Sequence, residues 1–204
     1  SPGTGSCPDV ENSFTVTINN TPLADAPADV ESCDSYILPA LANGNYFDAP
    51  NGGGNALSAG DNITATTTIY VFSPGTGSCP DVENSFTVTI TPAPIVDAGS
   101  DEEICEGDAH DLASSATAPT EANTSSLQWS TAGDGSFDNA ALLEPTYTPG
   151  PNDIIAGSVV LTLTGNGNGS CAPVQDTMTL NITPAPIVDA GSDEEICEGD
   201  AHDL

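Results

Sequence analysis

The segment Ser85-Phe86-Thr87-Val88-Thr89-Ile90 alternates polar and apolar residues at every position. A period of two is typical of a half-buried β-strand, because successive side chains point to opposite faces of a sheet. Residues 176–182, DTMTLNI, alternate in the same way. These segments predict an all-β fold, and they argue against the disorder that high charge and few aromatic residues would otherwise suggest.

Two stretches of the chain occur twice. Residues 73–90, SPGTGSCPDVENSFTVTI, repeat residues 1–18 without change, and residues 182–204, ITPAPIVDAGSDEEICEGDAHDL, repeat residues 90–112. Such repetition indicates tandem modules. We predict the C-terminal strands of a short module over 1–20, a complete short module over 21–90, a complete long module over 91–182, and the N-terminal part of another long module over 183–204. The chain is therefore expected to be a segment of a longer array.

Each complete module is expected to contain several short strands. In the short module we predict strands near 35–40, 44–48, 61–64, 66–72 and 85–90. In the long module we predict strands near 109–113, 126–131, 145–148, 158–165 and 176–182, with a helical turn at 152–156. Many short strands with Gly- and Pro-rich turns favour a Greek-key β-sandwich in each module and a linear array of modules.

The charge excludes several classes of function. The 204 residues contain 30 Asp and Glu, two His and no Lys or Arg, so the formal net charge is -30. Nucleic-acid binding needs cationic side chains to neutralise phosphates, and Schiff-base and P-loop chemistry need lysine. No apolar stretch is long enough to span a bilayer. We expect no nucleic-acid partner, no membrane span in this segment and no enzymatic activity.

The sequence has no C-x-x-C pair of the kind that binds zinc. The six cysteines are therefore expected to form disulfides in an extracellular compartment. The repeats assign two cysteines to each complete module and predict the pairs Cys33–Cys79 and Cys105–Cys171. Cys7 copies Cys79 and Cys197 copies Cys105, so these two are predicted to pair outside the 204 residues. A Cys7–Cys197 bridge is the alternative.

Several segments carry a family resemblance. Residues 96–108, VDAGSDEEICEGD, and 127–129, LQW, resemble PKD-like and immunoglobulin-like repeats in very large surface proteins of Bacteroidota. Residues 33–39, CDSYILP, and 69–72, IYVF, are similar to repeats in flavobacterial adhesins and gliding-associated proteins. The resemblance implies export by type IX secretion and display on the cell surface as an adhesin or filament.

Calcium is the predicted cofactor. Carboxylate oxygens are the ligands that Ca²⁺ prefers, and acidic residues are concentrated near the predicted module boundary. The candidate ligands are Asp97, Asp101, Glu102, Glu103 and Asp108, with Glu106 nearby and Asp134 and Asp138 as second candidates. The alternative is an acidic loop that only contacts solvent.

Other chemistry-bearing residues favour structural roles. Trp129 is expected to pack in the core rather than stack on a sugar. His110 is expected to be a surface or capping residue, since no G-x-S-x-G motif accompanies it. Asp176-Thr177-Met178 matches a short O-glycosylation pattern of Bacteroidota, which makes Thr177 a candidate modification site.

These observations favour a structural repeat segment of an extracellular fibre or adhesin stalk, stabilised by intramodule disulfides and calcium. The expected partners are neighbouring modules of the same chain, like filaments, surfaces or glycans. The alternatives are multivalent carbohydrate- or surface-binding modules, or linker modules of a secreted enzyme.

Overall fold

The computed structural model of the chain describes residues 3–193 and 195–199. It divides into two compact units. Unit 1 comprises Ser1–Ala93 and Gly169–Cys171, and unit 2 comprises Pro94–Asn168 and Ala172–Leu204. Apart from one six-residue helix and one 3-10 turn, the regular elements of the described residues are all strands. The predicted all-β class is therefore confirmed.

Unit 1 is built around a five-stranded sheet. The described residues of the unit form seven strands: β1 (Val30–Cys33), β2 (Tyr36–Ile37), β3 (Asn45–Ala49), β4 (Gly53–Leu57), β5 (Asn62–Ile63), β6 (Thr67–Ser73) and β7 (Val82–Thr91). The sheet order is β1-β7-β6-β3-β4, while β2 and β5 form a separate pair. β1 runs parallel to β7, and the other pairs of the large sheet are antiparallel.

The core of unit 1 follows the alternation in β6 and β7. The inward-facing side chains are buried, and Tyr36, Leu57 and Ile90 pack against them. The buried cluster consists of Leu38, Tyr46, Ile69, Val71, Phe86 and Val88. Burial of these apolar side chains is the main favourable term in folding this unit.

Unit 2 has two facing groups of strands. Its elements are β8 (Ile95–Asp97), β9 (Glu102–Cys105), β10 (His110–Asp111), the 3-10 turn Leu112–Ser114, β11 (Thr120–Ala122), β12 (Thr124–Thr131), β13 (Ser136–Phe137), β14 (Thr146–Thr148), α1 (Pro151–Ala156), β15 (Ser158–Gly167) and β16 (Val174–Thr183). One sheet has the order β12-β15-β16-β9 and another β10-β14-β13, and β11 pairs with β8.

The core of unit 2 lies between these sheets. Trp129 of β12, Leu161 and Leu163 of β15 and Met178 of β16 pack with Tyr147 of β14. One apolar core therefore joins two sheets, as in an immunoglobulin-like sandwich. Within the four-stranded sheet, β9 runs parallel to the last strand, β16, as β1 does to β7 in unit 1.

The strands that the sequence did not predict are short or contain residues typical of turns. These are β1, β4, β8, β9, β11 and β13. β4 begins within Asn51-Gly52-Gly53-Gly54, where Gly54 has a φ of 70° and a turn was expected. β1 and β9 have four residues each, too few to show an apolar alternation.

Identical sequence adopts different structures in the first repeat. Residues 82–90 lie in β7, where Phe86 is 2% exposed, but the same sequence at residues 10–18 forms no strand and Phe14 is 88% exposed. β7 pairs with β6 and β1, and no described strand pairs with residues 10–18. The assignment of residues 1–20 to a preceding module stays a prediction. The same applies to 183–204, of which residues 194 and 200–204 lie outside the described residues.

Candidate functional site

The best-defined chemical feature of the chain is the environment of Cys33. This residue ends β1 and lies opposite Thr91, the last residue of β7, in parallel register. The backbone N–H of Asp34 donates to the Thr91 carbonyl at 2.9 Å. The Asp34 carboxylate accepts a hydrogen bond from the Ala93 N–H at 2.8 Å. These bonds fix Cys33 beside the segment that leaves the last strand.

Cys171 lies in the turn between β15 and β16, and the turn residues Gly169–Cys171 belong to unit 1. Gly169 has a φ of 53°, in the left-handed region that favours glycine. The Sγ of Cys171 lies 3.3 Å from the carbonyl oxygen of Thr91. Cys33 and Cys171 form a disulfide with a Cα–Cα distance of 5.0 Å across 138 residues of sequence.

The predicted pairings Cys33–Cys79 and Cys105–Cys171 are wrong, because each would have to span the length of a strand. Cys33 is level with Thr91 at the end of β7, whereas Cys79 precedes the start of that strand at Val82. Ten extended residues cover about 30 Å. A disulfide requires Cα atoms within roughly 7 Å of each other.

Cys105 and Cys171 are separated in the same manner. Cys105 is level with Thr183 at the end of β16, and Cys171 precedes its start at Val174. Free thiols remain at Cys7, Cys79, Cys105 and Cys197. The alternative Cys7–Cys197 bridge is therefore not formed, and pairing of these two residues with partners outside the chain stays a prediction.

Three of the predicted calcium ligands accept hydrogen bonds, mostly from backbone N–H groups. Asp97 accepts a hydrogen bond from the N–H of Gly99 at 2.9 Å, and Asp101 accepts one from the N–H of Thr179 at 2.7 Å. Glu102 accepts hydrogen bonds from the Ser100 hydroxyl at 2.9 Å and from the N–H of Ala116. Each carboxylate stabilises its own part of the loop or sheet.

The remaining candidates are exposed. Glu103 lies on β9 opposite Asn181, and Asp108 lies in the turn after β9, where its N–H donates to the Cys105 carbonyl at 3.1 Å. Among the described residues, no three His, Cys, Asp or Glu side chains form a group that could hold a metal ion. Calcium binding at these five residues stays a prediction.

A buried carboxylate that the sequence did not reveal organises unit 2. Asp153 of α1 is only 2% exposed. Its Oδ2 accepts hydrogen bonds from the Tyr147 hydroxyl at 2.7 Å and from the N–H groups of Gly135 and Gly150 at 3.0 Å, while its Oδ1 accepts one from the N–H of Asp134 at 3.2 Å. Four donors therefore satisfy the carboxylate away from water.

The electrostatics of this cluster follow from its geometry. Burial would raise the pKa of Asp153, but the hydrogen bonds from Tyr147, Gly150, Asp134 and Gly135 outweigh burial, and the pKa of this carboxyl lies below its usual range. Burial chiefly raises the pKa of Tyr147 to about 12. Asp153 is therefore ionised and Tyr147 neutral at neutral pH. The Asp153 carboxylate thus has a structural role, and its charge is stabilised by the hydroxyl and N–H dipoles that point at it.

Asp134, a second candidate for calcium, caps the start of α1. Its carboxylate accepts hydrogen bonds from the N–H of Asn152 at 3.1 Å and from that of Asp153 at 3.3 Å. Asp138 accepts one from the N–H of Thr146 at 2.9 Å. Both carboxylates therefore stabilise local backbone, as N-cap and turn acceptors commonly do.

His110 does not lie at the surface as expected. It is 6% exposed in β10, and its Nε2 lies 3.0 Å from the hydroxyl of Ser115. Burial lowers the pKa of His110 against the opposite effect of Glu102 and Asp111. The mostly polar sequence around His110 gave no sign of this burial.

The aromatic residues mostly pack in the cores. Trp129 is 1% exposed, and its indole N–H donates to the Leu143 carbonyl at 3.1 Å, so the predicted core role is confirmed. The large exposed apolar side chains of the described residues include one aromatic, Phe14, whose copy Phe86 is buried. Thr177 is exposed on β16 opposite Thr162, and its glycosylation stays a prediction.

No helix in the described part of the chain is long and apolar enough to cross a membrane. The chain matches no protein-family model and no curated protein sequence.

The chain is similar to several solved structures at low sequence identity. Immunoglobulin domains 1–4 of Sidekick-1 are 14% identical with a TM-score of 0.46, and the match covers 79% of this chain and 48% of that one. Drosophila N-cadherin EC1–3 is 14% identical with a TM-score of 0.35, covering 82% and 69%. Titin domains I67–I69 are 10% identical with a TM-score of 0.40, covering 82% and 67%. The chain thus spans about half the length of the Sidekick-1 structure, and likenesses at this level do not bear on activity or partners.

Proposed function

We propose that this chain is a structural repeat segment of an extracellular surface fibre or adhesin stalk, in which disulfides join successive modules. The observation that carries the proposal is the Cys33–Cys171 bond. It connects the first strand of the short module with a turn of the long module across 138 residues of sequence. A bond of this kind persists in oxidising compartments, which supports a place outside the cytoplasm.

The surface chemistry supports a structural role. The net charge of -30 with no Lys or Arg keeps chains apart and in solution. The buried ionisable groups, Asp153 and His110, are held by hydrogen bonds inside unit 2. Among the described residues, the exposed apolar side chains form no aromatic platform of the kind that stacks on sugars. No observation therefore favours the carbohydrate-binding alternative.

Two parts of this proposal rest on the sequence alone. Calcium bound by Asp97, Asp101, Glu102, Glu103 and Asp108 would stiffen the start of the long module. Type IX export to the surface of a Bacteroidota cell would account for the resemblance of residues 96–108 to surface repeats. Labelling intact and permeabilised cells with antibodies against this chain tests the location, and cytoplasmic labelling alone would contradict it.

Imaging of the native parent protein tests the fibre itself. We expect thin filaments whose length scales with the number of repeats, and we expect antibodies against this chain to label them at regular intervals. Treatment with a reducing agent alone and with a chelator alone separates the contribution of the disulfides from that of calcium. Compact particles in untreated material would overturn the proposal.

A further inference from the structure

Each complete module carries one cysteine at the end of an early strand that runs parallel to the last strand, and one in the turn before that last strand. We call Cys33 and Cys105 the strand cysteines, and Cys79 and Cys171 the turn cysteines. The only disulfide among the described residues joins the strand cysteine of the short module to the turn cysteine of the long module that follows it. Cys79 and Cys105 are free thiols.

The two strand cysteines occupy matching environments. Cys105 lies in parallel register with Thr183, as Cys33 lies with Thr91. The N–H of the next residue, Glu106, donates to the Thr183 carbonyl at 2.8 Å, which corresponds to the bond of 2.9 Å from Asp34 to Thr91.

The segments that follow the last strands also match. The N–H of Ala185 lies 3.4 Å from a carboxylate oxygen of Glu106, as the N–H of Ala93 donates to Asp34 at 2.8 Å. Residues 90–94 and 182–186 have the same sequence, ITPAP, and each precedes the same long-module sequence. The surroundings that receive Cys171 at Cys33 are therefore reproduced at Cys105.

The two turn cysteines also match. Both follow a Gly-Ser pair, and the glycines, Gly77 and Gly169, have φ angles of 62° and 53°. The Sγ of Cys171 lies 3.3 Å from the carbonyl of Thr91, and the Sγ of Cys79 lies 3.7 Å from the carbonyl of Asn19.

Asn19 directly follows Ile18, just as Thr91 follows Ile90 in the identical repeat. Cys79 is therefore positioned beside the residue that a strand cysteine of a preceding module would face in parallel register.

We propose that disulfides run from module to module in a fixed stagger, each joining the strand cysteine of one module to the turn cysteine of the next. Cys105 then takes the Gly-Ser-Cys turn of a long module that follows it, and Cys79 takes the strand cysteine of a module that precedes it. This inference rests on the repeat-module part of the proposed function and is independent of any adhesive role.

The chemistry is thiol oxidation by a disulfide of the extracellular compartment. The thiolate of one cysteine attacks the oxidant disulfide and releases one thiol, and the second cysteine then attacks the mixed disulfide and releases the other. One disulfide forms, the oxidant gains two electrons, and the two protons go to the released thiols. Oxidised glutathione supplies this reaction in vitro.

Extension of the chain by one long module tests the proposal. Residues 182–204 already repeat residues 90–112, so a copy of residues 113–183 appended after Leu204 completes the second long module. An Ile196→Val change distinguishes the peptide of Cys197 by mass from the peptide of Cys105. An Ala172→Ser change, made only in the appended copy, distinguishes the second turn peptide from that of Cys171. The chain is folded with reduced and oxidised glutathione, its free thiols are alkylated, and it is digested before Asp without reduction.

We expect the peptide 101–107 to be linked to the marked turn peptide, while the Cys33–Cys171 link persists and reports correct folding. A link from the marked turn to the Ile196→Val peptide would show pairing within a module and overturn the stagger, as would an alkylated Cys105. In the control, serine replaces the cysteine of the appended turn, and Cys105 should become fully alkylated. None of these outcomes depends on whether the parent protein forms filaments, which imaging tests separately.

Discussion

The hydroxyl of Tyr147 donates a hydrogen bond of 2.7 Å to the carboxylate of Asp153, and both side chains are buried. Asp153→Asn places two amide protons where the site offers only donors, so at least one donor loses its acceptor. We expect unit 2 to lose about 2–4 kcal/mol of stability, measured by denaturant unfolding with Trp129 fluorescence. Glu144→Gln, at an exposed carboxylate, is the matched control and should change stability by less than about 0.5 kcal/mol. Equal effects of the two changes would refute the structural role of Asp153.

The buried His110 predicts a loss of stability on mild acidification. The pKa of His110 is lowered in the folded state, so between that pKa and the ordinary histidine pKa of about 6.5 the unfolded chain binds the proton more tightly. Stability should therefore fall as pH drops from 7.5 to 5.5, a range in which ordinary carboxylates remain ionised. His110→Asn should reduce the difference in unfolding temperature between these two pH values. An unchanged difference would show that the unfolding temperature responds to other groups.

Asp153 predicts a separate effect at stronger acidity. Its pKa is lowered in the folded state, so its contribution is complete above the unfolded pKa of about 4 and is lost as pH falls through the folded value. Protonation of the many exposed carboxylates relieves repulsion over the same range. Comparison of wild type with Asp153→Asn isolates the single group. The stability gap between them should narrow below pH 4, and a constant gap would contradict the assignment.

The Cys33–Cys171 bond predicts a specific pattern of cysteine variants. Cys33→Ser, Cys171→Ser and the double variant should lower stability equally, by about 2–5 kcal/mol, because each removes the same cross-link. Cys7→Ser is the control and should behave as wild type, since that thiol is free and exposed. Peptide mapping must use cleavage at acidic residues, because the chain has no Lys or Arg for trypsin. A Cys33–Cys79 peptide would disprove the assigned bond.

Hydrogen exchange can compare the two copies of one strand within a single molecule. Residues 13–18 and 85–90 give peptides of the same sequence, but only the second copy is paired in the sheet between β1 and β6. We expect two equal isotope populations, one exchanging fast and the other slowly, because paired amides are protected. A peptide from β16, which occurs once, should show a single slow population. One population for the repeated peptide would mean that both copies share a structure.

Salt should stabilise the chain, and calcium tests the metal proposal. Screening weakens repulsion among the like charges of a chain with a net charge of -30, so the unfolding temperature should rise between about 10 mM and 150 mM NaCl.

If Ca²⁺ binds at the start of the long module, CaCl₂ at matched ionic strength should give a further, saturable rise in the unfolding temperature that Asp101→Asn reduces. MgCl₂ is the control for divalent charge. Equal effects of the two divalent salts would argue against a specific site.

The sequence predicted the strands whose alternation is long and regular, but not the short strands that decide the disulfide. β7 and β16 each have ten residues with buried apolar positions, and both were expected from the pattern. The parallel pairing of the four-residue β1 with β7 left no periodic signal, yet it determines that Cys33 lies next to Thr91 rather than Cys79. Pairing the two cysteines of each module with one another predicted the wrong partners for Cys33 and Cys171.

Asp153 was missed for a different reason. In a chain with 30 acidic residues, nothing local marks one carboxylate as buried. The sequence feature associated with the buried carboxylate is the pair Gly133 and Gly135. A Cβ at Gly133 would collide with Asp153, and a Cβ at Gly135 would collide with Tyr147. Such glycines leave room for a close approach, but the sequence does not say which side chain approaches.

The bond between Cys33 and Cys171 also determines how the chain responds when its two ends are pulled apart. Tension enters along residues 1–33, crosses the two sulfur atoms, and leaves along residues 171–204. Residues 34–170 never carry the load, so the segment can lengthen to roughly 230 Å instead of the roughly 700 Å of a fully extended chain. The buried core cluster of unit 1 lies entirely inside the closed loop, so tension does not pass through it while the disulfide is intact. In unit 2 the last strand, β16, lies in the loaded segment with the buried Met178 and Leu180, so stretching acts first on that strand.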